Sequence, residues 1–460
     1  MSIGTGSVRG DSSAAIVVLS AATGTFAILL SIVGPAIPVM QRALGTDQLG
    51  ANWIMTAYLL SAAVMTPVVG RLGDSLGKKQ VLIAVLLLLV LGCVVAALAN
   101  DLWVMIVGRV IQGAGGGAFP LAFGFLRDHL EGRRLTHAIG AVAGFGAACV
   151  GLGGVLSGII VELVGYQWIF WAPAMVLLAA TAVVAALPRS PKSKATISPL
   201  SVLLFALGLG SFLLVVNQSS NWGFASTPTL LVGLLATGGI VSWIWSDRRA
   251  SGPLIDMGMM VTNVMWTTSL SAALLGIGLY GLQTFIPQFV QTSDVTGYGL
   301  GLSVMESGLV MLPMALGMFV TGFTSARFVD WFGVRRVLAI SPAVAGVGVL
   351  FLIPTPTELW QVLVASGLAG LGIGLAFSVM PAVVVSGVSA HQSGIASGIN
   401  ANLRTVGGAV GTALIAAIVT PGVAGEVSSA EDYQMGFVVI SVAAFLSAGV
   451  GFFTNPRAGN

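Results

Sequence analysis

The stretch GRLGDSLGKKQV, residues 70–81, holds one acid, Asp74, three bases, Arg71, Lys78 and Lys79, and three glycines, Gly70, Gly73 and Gly77. Apolar runs of membrane-spanning length flank it on both sides. Only 8% of the 460 residues are charged and 56% are AVILMFWYC, whereas a soluble domain carries about 25% charged residues. Such a chain cannot cover a water-facing surface, so its solvent is lipid. The four charges of 70–81 therefore mark a short polar hairpin between two spanning segments.

A spanning helix needs about 20 apolar residues. Fourteen segments qualify: 14–40, 52–70, 81–99, 103–126, 137–162, 168–187, 200–217, 227–246, 266–290, 302–326, 335–353, 359–380, 394–419 and 434–453. With the N-terminus inside, the even-numbered loops gather Arg71, Lys78, Lys79, Arg127, Arg133, Arg134, Arg189, Lys192, Lys194, Arg248, Arg249, Arg327, Arg335 and Arg336, and the tails add Arg9 and Arg457. The other side keeps Arg42 and the acids Asp47, Asp101, Glu162, Asp294, Glu306, Glu358, Glu426, Glu431 and Asp432. That bias places both termini in the cytoplasm. The first segment reads as a retained helix, not a cleaved leader. Cys93 and Cys149 lie in apolar runs, which argues against a disulfide framework or metal cluster. His129, His137 and His391 are scattered over loops, and no nucleotide, zinc or nucleophile signature occurs. The chain reads as neither an enzyme nor a cofactor protein.

The hairpin has an echo. At an offset of 256, RLGDSLGKK (71–79) falls on RFVDWFGVR (327–335), pairing Arg71 with Arg327, Asp74 with Asp330, Gly77 with Gly333 and Lys79 with Arg335. At 257, DLWVMIVGRVIQGAGGG (101–117) falls on ELWQVLVASGLAGLGIG (358–374). Two matches at nearly one offset predict two homologous six-helix halves, with domain limits 1–190 and 263–460 and two extra helices within 191–262. Parallel repeats of this kind place a substrate site at their interface near the bilayer midplane.

Asp74 stands at the C-terminal, partly negative end of its segment and needs compensation. Arg71, Lys78, Lys79 and the N-terminus of the thirteenth segment near Ser393-Gly394 are the sources on that face. Together they suggest a charge latch that closes where the halves meet and breaks when they rock apart. Glycine pairs four apart, 140/144 and 154/158 in the fifth segment and 394/398 and 407/411 in the thirteenth, permit close helix approach. Arg109 lies inside the fourth segment, where a charge is costly and needs acceptors. Ser31, Gln112, Asn52 and backbone carbonyls are the available ones. Arg404 shares a helix face with Asn400, while Asn402 points elsewhere; it either faces a cavity or locks helix packing. Glu306 either titrates when buried or caps its helix from solvent, and Glu162 is a similar but weaker case. Trp53, Tyr58, Phe123, Phe285, Met311, Met314, Phe377 and Met380, with Gln283, Gln288 and Gln291, could line a cavity or belong to core and lipid faces.

The motif G-x-L-x-D-x-x-G-K-K (70–79) resembles the signature loop of the major facilitator superfamily. WIMTAYLL (53–60), RVIQGAGGG (109–117), YQWIF (166–170), DRRASGPLID (247–256) and SGIASGINANLRTVGGAVGTAL (393–414) are similar to patterns of its fourteen-helix drug:proton antiporter branch. The resemblance implies the all-α major facilitator fold, two six-helix bundles plus two intervening helices. It also implies proton-driven export of lipophilic or amphipathic compounds by alternating access from a bacterial inner membrane. The partners it implies are a small lipophilic substrate, protons and membrane lipid, with no nucleic acid, and the chain would act as a monomer. It places Arg109 in a proton-relay or substrate-anion site. The sequence departs from the branch where Leu29 replaces the first-segment acid and Gly34 its asparagine. GGVLSG (153–158) lacks the antiporter proline, and Gln167 stands for an arginine. These departures open a second expectation, export of a lipid or metabolite without proton antiport.

Overall fold

The structure, a computed structural model, describes residues 7–46, 48–191, 198–223, 225–250, 252–293, 298–354, 358–389, 392–419 and 429–455. Lys192, Lys194, Arg457, Asp47, Asp294, Glu426 and His391 lie outside them, as do the side chains of Arg9 and Asn52. The described residues contain helices and no strand, as lipid demands of a chain that must satisfy its backbone internally. In order they are α1 (Ser7–Ala43), α2 (Gln48–Leu76), α3 (Lys78–Ala97), α4 (Leu102–Gly113), α5 (Ala118–His129), α6 (Gly132–Val164), α7 (Trp168–Ala186), α8 (Pro199–Trp222), α9 (Thr227–Asp247), α10 (Met257–Met260), α11 (Asn263–Gln291), α12 (Val304–Leu309), α13 (Leu312–Phe332), α14 (Val334–Leu350), α15 (Leu359–Ser386), α16 (Ser393–Val419) and α17 (Ala430–Phe452).

Twelve spans among the described residues are long and apolar enough to cross a membrane; α4 with α5, and the end of α12 with α13, each count as one. Fourteen were expected. The two remaining segments correspond to α14, which has 17 residues, and to α16, which carries the polar run SGINANLRT. Both pack on neighbouring helices, α14 against α15 and α17 with Ile340 and Val347 left exposed, and α16 against α2 and α11.

The fourth segment differs from a continuous helix. A 3-10 turn at Ala114–Gly117 separates α4 from α5. A methyl group on Gly113, Gly116 or Gly117 would run into Ser61, Thr66 or Val69 of α2, so the glycines let the two backbones cross closely. Asp101 caps α4 by accepting from Trp103 N at 2.8 Å and Val104 N at 3.0 Å, a favourable place for an acid.

One hydrophobic core draws almost entirely on α1–α7 and a second on α11–α17. A third joins Phe205 of α8, Leu254, Ile255 and Met259 to Val384 and Ile395. Asp247, at the end of α9, is 2% exposed and accepts from Leu254 N at 2.7 Å and Ile255 N at 2.9 Å. The charged loop 247–256 is thus folded around its own acid. α8 meets α2 through Thr56 and Asn217, 2.9 Å apart. α9 is peripheral, with Leu230, Leu231, Leu234 and Leu235 exposed, as suits a lipid-facing helix.

Candidate functional site

The two cores meet at two helix crossings built on small residues. In the first, α2 crosses α16: a methyl on Gly70 would lie 2.7 Å from Gly394 O, and one on Gly398 3.2 Å from Thr66 O. In the second, α6 crosses α13: Gly144 lies directly on Gly322, and Gly140 on Ser325. The other glycine pairs behave differently. Gly154 and Gly158 face open space, and Gly407 and Gly411 pack on Ala273 and Ile277 of α11 within the same core. Of the four pairs, close packing between the cores uses the two nearest the basic loops, and Gly151 adds a further close contact to Ala315 of α13.

Charges reinforce these crossings. Asp74 is 3% exposed. Its Oδ1 accepts from Gly394 N at 3.1 Å and its Oδ2 from Ile395 N at 3.0 Å. The carboxylate thus sits on the N-terminus of α16, where unsatisfied N–H groups and the helix dipole favour an anion. Lys78 Nζ lies 3.7 Å from Asp74 and 2.9 Å from Asp128. Arg71 forms no ion pair with Asp74 among the described residues, and its buried Nε has no hydrogen-bond partner. Arg127, at the end of α5, donates to the carbonyls of Val385 and Val388 at the C-terminus of α15. One core thus presents an acid to the positive end of α16 and a base to the negative end of the neighbouring α15.

The repeat motif is placed differently. Asp330 pairs with Arg133 across the α6–α13 crossing, but both side chains are exposed, 36% and 77%. Arg327 is exposed and Gly333 turns with φ 77°, as Gly77 does with φ 100°. Lys79 donates to Ala185 O at 2.8 Å and to Leu187 O, capping α7. Its mate Arg335 donates to Phe452 O at the end of α17 and stacks on the Phe452 ring at 4.0 Å. Each hairpin's last cation therefore holds the final helix of its own core.

Between the cores lies a cavity with about 90 Å³ of free space. Drug-sized sites measure roughly 300–1,000 Å³, so this space must widen to take such a molecule. Tyr58, Phe123, Phe377, Asn400 and Arg404 line it, with Phe26, Phe119, Tyr280 and Ser397. Arg404 is half-buried and stands 4.7 Å over the Phe377 ring. Asn400 donates to Thr268 O at 3.0 Å.

Arg109 is fully buried. Nε donates to Ile54 O at 3.0 Å, one terminal nitrogen to Gln112 Oε1 at 2.6 Å, and the guanidinium lies 4.2 Å over the Tyr58 ring. Gln112 in turn donates to Cys93 Sγ at 3.5 Å. The arginine is satisfied without an acid.

Several expected cavity residues lie elsewhere. Trp53 lines an apolar groove of about 750 Å³ between α2 and α4, with Trp103. Phe285 is fully buried between Tyr433 and Phe437 in the second core. Met380 is buried in that core and Met311 packs on its edge. Gln283 is half-buried and is not among the cavity's lining residues. Ser31 does not reach Arg109; its hydroxyl turns back to Ala27 O and Ile28 O. Glu306 is exposed and accepts from Ser303 N at 2.8 Å and Ser303 Oγ at 2.7 Å. It closes a capping box at an exposed helix start. Arg127 is the contributor that sequence reasoning undervalued, counted there only among the loop bases.

Two helical cores joined on small residues around an internal cavity, with opposite charges seated on helix ends across the junction, make up a polytopic helical membrane protein. The Major Facilitator Superfamily model matches residues 19–412, and the chain belongs to that superfamily, whose members are transporters and not enzymes. An uncharacterized MFS-type transporter of Mycobacterium tuberculosis is 28% identical over 87% of this chain and 58% of its own. The chain thus spans little more than half the length of that relative. The multidrug transporter MdtP of Bacillus subtilis is 26% identical, covering 84% and 72%. A puromycin resistance protein of Streptomyces alboniger is 29% identical, covering 85% and 78%. Among solved structures, the proton:xylose symporter XylE aligns with TM-score 0.64 at 13% identity over 95% of each chain. The human organic anion transporter MFSD10 aligns with TM-score 0.63 at 16% identity over 97% and 99%. At these identities the likeness is one of fold.

Proposed function

We propose that the protein is a fourteen-span secondary transporter of the drug:proton antiporter branch, in a bacterial inner membrane with both termini cytoplasmic. It exports lipophilic or amphipathic small molecules by alternating access. The observation that carries this reading is the junction: Asp74 on the N-terminus of α16 and Arg127 on the C-terminus of α15, beside the Gly144–Gly322 contact. These contacts close the basic face and separate if the cores rock apart. The separate cores and the matched capping by Lys79 and Arg335 support two equivalent halves. Multidrug relatives support a lipophilic cargo.

Proton coupling follows from the resemblance. The second reading, export without proton antiport, is favoured by one observation: among the described residues no carboxylate lines the cavity, and Glu306 is a solvent-facing cap. Reconstitution of the full chain in liposomes with imposed pH gradients tests both. Dye efflux that drives proton flux supports antiport; dye efflux indifferent to the gradient supports the second reading. No flux of any lipophilic dye overturns the transport reading.

A further inference from the structure

The cavity's electrostatics point to the charge of its cargo. Arg404 lies 11 residues into α16, about 16 Å along the helix from its start, and presents its guanidinium to the cavity against Phe377. Among the described residues it forms no ion pair. A second guanidinium, Arg109, is not itself a lining residue but stacks on the lining Tyr58 at 4.2 Å, and its hydrogen-bond partners are neutral. Among the described residues no Asp or Glu lines the cavity. Two lining hydroxyls, Tyr58 OH at 0% and Ser397 Oγ at 3% residue exposure, are buried without a hydrogen-bond partner. Charge in a low-dielectric site needs a countercharge, and a guanidinium with donors beside it matches an oxyanion.

On the transport reading above, we propose that the cavity binds amphipathic organic anions. A carboxylate, sulfonate or phosphate ester would sit on Arg404 with Ser397 and Tyr58 donating, and an apolar or aromatic body would lie among Phe26, Phe119 and Phe123. A cation of the same shape is repelled by Arg404 and, beyond Tyr58, by Arg109, neither of which has an anionic partner among the described residues.

The test compares 2-naphthalenesulfonate with 2-naphthyltrimethylammonium on the full chain: equilibrium binding in detergent and counterflow in proteoliposomes. The sulfonate should bind about 10- to 100-fold more tightly, the range of a hydrogen bond to a charged group. Arg404→Gln should abolish that preference, Arg404→Lys should keep part of it, and Ser397→Ala should weaken sulfonate binding alone. Equal or tighter binding of the ammonium by the unmodified protein overturns the proposal and requires no variant to fold. Preference surviving in a folded Arg404→Gln protein overturns the placement. Counterflow of the ammonium without sulfonate binding refutes the anion site and keeps the transport reading. Sulfonate binding dependent on Arg404 with no counterflow of either probe does the reverse.

Discussion

Replacing Asp74 by asparagine tests whether the junction is held by charge. The carboxylate is buried, so solvent screens it little, and it accepts two backbone N–H groups from α16 at 3.1 and 3.0 Å. Hydrogen bonds to a charged group contribute about 1.5–3 kcal/mol each, and an anion at a helix N-terminus up to ~2 kcal/mol. Asparagine keeps the shape and one accepting oxygen, but it loses the charge and turns an NH₂ toward the second N–H. The terms overlap, so the net loss for the closed state is about 2–3 kcal/mol, or roughly 30- to 150-fold in the closed-to-open ratio. Lys78 does not offset this, because its closer partner is Asp128. Ser325, 3% exposed at the α6–α13 crossing, gives a reporter when replaced by cysteine in a Cys93→Ala/Cys149→Ala background. Its labelling by a membrane-impermeant maleimide from the basic face should accelerate by that factor in Asp74→Asn. Asp330→Asn, at the exposed repeat position, should change the rate less than about fivefold, as expected for an exposed pair. Unchanged labelling in Asp74→Asn would refute the latch.

Gly144→Leu places a side chain against the backbone of Gly322 and should abolish transport at normal expression, whereas Gly154→Leu, which meets open space, should transport normally. Arg109→Lys cannot reproduce the bonds to Ile54 and Gln112 or the stacking on Tyr58. It should lower stability by about 1–3 kcal/mol, seen as a reduced Tm in detergent. Glu306→Gln removes only a capping charge at an exposed helix start, so efflux measured with and without a pH gradient should stay within about twofold of the parent rate.

How far the sequence could be read depends on what each residue had to contrast with. Asp74 was legible because an acid at a helix C-terminus is anomalous, and its resolution on the N-terminus of α16 follows from dipole physics. Gly140 and Gly394 were legible because small residues four apart mean close approach. The facing of Trp53, Phe285, Met311 and Met380 was not. In a soluble helix the polar face reveals the buried one, but here lipid and protein interior are equally apolar. A buried Phe285 and a lipid-side Trp53 then look alike in sequence. Gln283 fails for the related reason that a single amide can turn to neighbours on either side. Arg127 was hidden by company: among so many loop bases, only the fold shows which one reaches the end of α15. The 3-10 turn at Ala114–Gly117 needed the crossing partner α2 to be known.

The two hydrophobic cores divide the charges of the molecule unequally. Aligning the glycine pair 140/144 with 394/398 gives an offset of 254, which sets Val150 opposite Arg404; both line the cavity. The lining thus has an apolar side chain at the first position and a cation at the second. At the buried contacts of the junction the pattern inverts: the first core supplies the charged side chains, Asp74 and Arg127, which meet backbone groups at two helix ends of the second, while the second core's Asp330 pairs only at the exposed rim, with Arg133. A latch whose partners are backbone groups cannot be titrated away on that side, and it opens only by moving α15 and α16. Arg404 rides on α16. On the proposed mechanism, separation of the junction would move the cavity's half-buried cation together with the helix that releases Asp74, coupling the proposed latch to the proposed cargo site through α16.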